Sequence, residues 1–137
     1  MGFGIVVLGY MGLLYFGAII VPGDGVVGKW MSVVPSGLWD LAHAPAYGIL
    51  AVLLILLLKR LGWASFYAFP VSAAAALGFG LWTEVLQGSI HGRQASVEDL
   101  VVDGIGIGMA TLLMRSETVR DKITSFISLQ RKVKRQA

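Results

Sequence analysis

The chain has 137 residues, enough for one domain, of which 56% are hydrophobic and only 14% charged. A soluble domain carries about 25% charged residues to cover its surface, so this composition excludes an ordinary soluble protein and points to a membrane. The net charge of +3 comes without the interleaved basic and aromatic surface of a nucleic-acid binder, and the absence of cysteine excludes disulfides and thiolate chemistry.

The apolar residues fall into blocks of roughly the 20 residues needed to cross a bilayer. The first block, residues 3–22, has no Lys or Arg before it and no small-x-small site after it, and so reads as a retained transmembrane helix rather than a cleaved signal. Pro22-Gly-Asp-Gly25 breaks it, and Val26–Gly37 reads as a mixed loop in which Trp30, with Trp39 beyond it, suits the interfacial aromatic belt. The second helix is expected at 38–58. Asp40, His43 and Tyr47 share one face of its first half, Pro45 lies in its first turns, and Lys59-Arg60 close it.

The third helix is expected at 66–87. Ala73–Ala76, Gly78 and Gly80 make its middle thin, and Glu84 and Gln87 share a face in its last turns. The fourth is expected at 97–114. Ser96 is a good N-cap with Asp99 three residues on, Asp99 and Asp103 share a face with Ser96, and Gly104 and Gly108 form a small-residue pair on another face. Gly78, Gly104 and Gly108 are therefore expected at helix contacts. Residues 115–137 read as a basic amphipathic tail, with apolar residues at helical spacing and a closing Arg-Lys-Val-Lys-Arg, suited to an anionic membrane surface.

Charge placement gives the orientation. Lys59, Arg60 and the basic residues after Met114 share one side of a four-helix arrangement, and Lys29 and Arg93 lie on the other. The positive-inside rule then places both termini in the cytoplasm of a multi-pass protein. Asp40, His43, Glu84, Gln87, Arg93, Ser96, Asp99 and Asp103 all land near the outer leaflet. Polar groups cost several kcal/mol each in hydrocarbon, so such a cluster has either a partner or a task.

Each residue also has a structural reading. Glu84 and Gln87 suit a helix end at the interface, or Glu84 pairs with Arg93 to close the outer ends of the helices. Asp99 completes a cap and favours the helix dipole. Asp103 lies a turn deeper and needs a partner such as His43 or Arg93. The functional reading makes His43 an acid or base with Glu84 and Asp99 orienting it, and lets Arg93, Gln87, Asp103, Asp40 and Ser96 hold a ligand. His43 with Glu84, Asp99 and Asp103 also has the donor types for a divalent cation, but nothing in the spacing fixes one. No metal and no cofactor is assigned.

The blocks Asp40-Leu-Ala-His-Ala-Pro-Ala-Tyr, Glu84-Val-Leu-Gln87 and Gly92-Arg-Gln-Ala-Ser-Val-Glu-Asp-Leu-Val-Val-Asp-Gly104 resemble the VanZ-like family of small bacterial membrane proteins, named for a member linked to teicoplanin resistance. The resemblance covers roughly Leu38 to Met114. The chain departs from the family pattern at Leu41, where Lys is common, and at Asp103, where Asn is common. It implies an all-α, four-helix integral membrane bundle over 1–114 in the bacterial cytoplasmic (inner) membrane, with the amphipathic tail following.

Two functions follow as expectations. One is an outward-facing site for an anionic lipid or a lipid-linked cell-envelope precursor. The other is a non-enzymatic accessory subunit docking laterally on a larger membrane protein complex. Membrane lipids are partners in either case, and nucleic acid in neither. A channel or transporter is a weaker reading, since four short helices line a pore only as an oligomer.

Overall fold

The computed structural model describes residues 2–116. Over them the protein is all-helical. The helices run α1 (Gly2–Ile19), α2 (Gly25–Val33), α3 (Ser36–Arg60), α4 (Ser65–Gly88) and α5 (Val97–Arg115), with no strand among the described residues. The expected interfacial helix of the basic tail falls at 117–137, outside the described residues.

α1, α3 and α4 are long and apolar enough to cross a membrane. Their large side chains stand outward, with Leu8 69% and Phe66 78% exposed. Continuous apolar surface of this kind suits hydrocarbon rather than water. α5 is 19 residues long but carries Glu98 and Asp99 in its first turn and Asp103 one turn further on.

α2 replaces the loop expected over Val26–Gly37. Gly23 and Gly25 take φ of +90° and +62°, left-handed values that glycine adopts without Cβ strain, and they fold the chain back after α1. A Cβ on Gly28 would meet the Val21 carbonyl, so only glycine lets the short helix lie against that turn. The Trp39 indole N–H donates to the Met31 carbonyl at 3.0 Å and ties the end of α2 to the start of α3. α3 begins at Ser36, which places Pro45 in the helix interior rather than its first turns. The Leu41 carbonyl there loses its usual helical donor.

α3 is the central element, packed against α1, α4 and, most extensively, α5. Its core contacts are Tyr47, Leu50 and Ala51 with Ala76 of α4 and Ile107 of α5. A second cluster, Ile55, Phe69 and Met114, closes the Lys59-Arg60 end. In lipid, close packing and hydrogen bonds hold helices together more than hydrophobicity does, and glycine sets how close they come. A Cβ on Gly106 would strike the Ala44 carbonyl and stand 2.7 Å from its Cα, and one on Gly48 would stand 3.0 Å from the Gly106 carbonyl oxygen. The α3 and α5 backbones therefore touch.

The expected contact glycines are corrected by this packing. A Cβ at Gly78, Gly104 or Gly108 meets no atom within 4 Å, so none of the three mediates packing among the described residues. A repeat of small residues marks a thin helix face. Which glycine meets a neighbour depends on where the helices cross, and here that falls on Gly48, Gly80 and Gly106.

Candidate functional site

The contact of Gly106 with Ala44 sets the register of α3 against α5 and, one residue back in α3 and one turn back in α5, brings His43 to Asp103. His43 Nδ1 and Asp103 Oδ1 are 3.0 Å apart. With the carboxylate ionised and the imidazole neutral, Nδ1–H donates to Asp103 and Nε2 keeps its lone pair. The His43 side chain is 22% exposed and that of Asp103 is wholly buried. His43 stacks on Tyr47, with ring centroids 5.9 Å apart.

Asp103 fits because residue 80 is glycine. A Cβ there would lie 2.7 Å from Asp103 Oδ2 and 3.3 Å from Tyr47 Cε1. The buried stripe of α4 runs Ser72, Ala76, Gly80, Thr83, Glu84, Gln87, turning from small to polar toward the site. Thr83 donates to the Gly80 carbonyl at 2.8 Å, and the Tyr47 hydroxyl, 2.5 Å from Thr83 Oγ1, donates in turn to that oxygen. Thr83 went unread in the sequence. Its role lies wholly in its partner, and no spacing carries that signal.

Glu84 Oε2 accepts the Ser96 backbone N–H at 2.8 Å. The expected Glu84–Arg93 pair is not formed, because the carboxylate is taken by the amide that begins α5 and Arg93 makes no ion pair among the described residues. Glu84 thus joins the end of α4 to the start of α5. The Ser96 cap is as expected, its hydroxyl accepting the Asp99 N–H at 3.2 Å. The reciprocal half of a capping box, Asp99 reaching back to the Ser96 N–H, is displaced by Glu84.

A cleft of about 520 Å³ opens over this cluster. Asp40, His43, Gln87, Arg93, Ser96 and Asp99 line its polar side, and α1 supplies an apolar wall that includes Leu13, Leu14 and Gly17. Gln87 is 4% exposed and Asp40 exposed. Glu84 and Asp103 lie outside the lining and support it from behind. His91 is exposed and takes no part in the lining.

No protein-family model, curated protein or solved structure matches the chain. The chemistry is therefore read from the geometry alone. Asp103 takes His43, one of the two partners expected for it, so Asp103 orients the imidazole in place of the expected Glu84 and Asp99. One donor atom each from His43, Glu84 and Asp99 nevertheless lies within 4.8 Å of the others. The Arg93 Nε is buried with no hydrogen-bond partner among the described residues, beside a cleft open to a ligand. The arrangement thus offers an oriented imidazole, a cationic fork without a carboxylate partner, and an apolar wall.

Proposed function

We propose that the cleft binds the anionic headgroup of a lipid or of a lipid-linked cell-envelope precursor at the outer face of a bacterial cytoplasmic membrane. In this reading the protein is VanZ-like and has both termini in the cytoplasm. α5 is a fourth crossing, because 19 residues at about 1.5 Å each reach about 28 Å, close to the ~30 Å of hydrocarbon. The observation that carries the proposal is Arg93. Its guanidinium lines the cleft with no acidic partner among the described residues, where a planar fork suits a phosphate or carboxylate. The apolar wall from α1 suits the acyl or polyprenyl part of the same ligand. His43, held by Asp103, is the acid or base of the site.

Native mass spectrometry of the full chain, gently extracted from its own membrane, tests this. Wild type should retain a defined anionic lipid mass, and Arg93→Gln should lose it while remaining folded. Equal retention by both would refute the assignment.

A second reading, an accessory subunit of a larger membrane complex, is favoured by one surface. Val101, Ile105, Met109 and Leu112 are exposed along α5 beside Gly104 and Gly108, which have open space above them. Such a face permits close lateral docking of another helix. The same spectra separate the two readings, since fixed stoichiometry with other chains supports docking.

A further inference from the structure

We infer that a binding site for a first-row divalent transition metal, zinc or manganese, lies at the base of the cleft, held by His43 and Asp99 of the lining and by Glu84 just behind it, with Asp103 as the carboxylate behind the histidine. The inference concerns the same cleft but does not require the lipid headgroup reading, because it rests on a different set of atoms.

The donors come from three helices that meet only in the folded chain: His43 from α3, Glu84 from α4 and Asp99 from α5. One ligand atom from each lies within 4.8 Å of the other two. Ligands about 2.1 Å from an ion stand at most about 4.2 Å apart, so small side-chain rotations complete the shell without moving a helix. Proximity of acidic groups alone would not make a site. A second observation points to a cation: Glu84 is 4% exposed, its Oε2 accepts from Ser96, and its Oε1 is buried with no hydrogen-bond partner among the described residues. A buried carboxylate oxygen left without a donor is costly unless a cation or proton meets it.

The histidine is prepared in the way metal-bound histidines are. Its Nδ1–H is taken by Asp103 at 3.0 Å, which fixes the tautomer, orients the ring and leaves Nε2 as the nitrogen available to an ion. Asp103 is itself fixed by the close approach of Gly80. Around one imidazole stand three carboxyl groups, and the Arg93 guanidinium bonds to none of them. A divalent ion offsets that charge where helix backbone and hydrocarbon cannot.

The donor set selects the ion. One imidazole with carboxylate oxygens suits zinc, manganese or iron(II), whereas calcium and magnesium prefer oxygen alone. Three protein ligands leave positions open toward the cleft, for water or for an oxygen of an anionic ligand.

The test uses the full chain in detergent, stripped with EDTA and then dialysed against zinc or manganese. Bound metal is counted by mass spectrometry, and manganese is followed by electron paramagnetic resonance, where capture removes the six-line signal of the free ion. Wild type should bind one ion per chain. Glu84→Gln, Asp99→Asn and His43→Gln should each lose binding, and Asp103→Asn should weaken it by about tenfold. Asp99→Asn is the variant least exposed to a folding artefact, because the helix cap uses the backbone N–H of Asp99 and not its carboxylate. Arg93→Gln should keep its metal even where lipid retention is lost, so failure of the headgroup reading leaves a separate signature. Wild type that leaves the manganese signal unchanged and takes up no zinc overturns the inference, as does uptake equal in wild type and folded Asp99→Asn.

Discussion

Gly106 of α5 lies directly on the backbone of Ala44 in α3, with no room for even a methyl group between them. That contact sets the register of the two helices most extensively packed together, and the His43–Asp103 hydrogen bond sits beside it, one residue back in α3 and one turn back in α5. The positioning of the site is thus a consequence of a backbone contact that carries no chemistry of its own.

Gly106→Ala should destabilise the protein by about 2 kcal/mol or more, since overpacking a tight contact costs 1–3 kcal/mol or above. Gly104→Ala and Gly108→Ala, on open faces of the same helix, should change stability by no more than about 0.5 kcal/mol or raise it slightly. Thermal or denaturant unfolding in detergent reads all three, and equal effects at 104 and 106 would show that α5 packs by another face.

Gly80 and Asp103 should behave as a coupled pair. Gly80→Ala presses a methyl onto Asp103 Oδ2, 2.7 Å from the new Cβ, and onto the Tyr47 ring. Shortening residue 103 in Asp103→Ala removes the first of these clashes. A double-mutant cycle should therefore give an interaction of about 1 kcal/mol or more in favour of the double variant. Additivity would mean the carboxylate lies elsewhere.

The Tyr47–Thr83–Gly80 chain predicts an asymmetry. Thr83→Val leaves the buried Tyr47 hydroxyl without its acceptor, at a cost of about 1–3 kcal/mol. Tyr47→Phe leaves Thr83 still donating to the Gly80 carbonyl and should cost less. The double variant should be no less stable than Thr83→Val alone. Unfolding measurements that reverse the order of the two single variants would remove the assigned direction of the hydrogen bonds.

Ser96→Ala should cost about 1 kcal/mol through loss of the α5 cap. It should leave the link from Glu84 to the Ser96 N–H, which is backbone, in place. Glu84→Gln keeps an oxygen for that amide and should likewise preserve the fold. Circular dichroism and melting of the two variants check this, and a collapse of helicity in Ser96→Ala would assign the side chain more than a cap.

Much of this was legible in the residues themselves. Apolar runs of bilayer length placed α1, α3 and α4 within a few residues of their ends, because a helix in hydrocarbon must be both apolar and long enough. The Ser96 cap was legible because capping is local, completed within one turn. Polar residues in the apolar runs at Asp40, His43, Gln87 and Asp99, with Arg93 and Ser96 in the connection between α4 and α5, marked the cleft lining, since such groups gathered at one end of apolar helices call for a partner or a task.

The pairings belong to the tertiary structure. Helical spacing says which residues share a face of one helix, but not at what height two helices cross. Of the two partners the sequence offered Asp103, the fold selects His43 over Arg93, and Glu84 answers Ser96 rather than Arg93. Gly48, Gly80 and Gly106 rather than Gly78, Gly104 and Gly108 make the close approaches. All of these turn on contacts of ångström precision between segments distant in the chain. α2 was invisible for a related reason: a nine-residue helix is too short to stand on its own periodicity, and it forms where glycine turns and the Trp39–Met31 bond hold its ends.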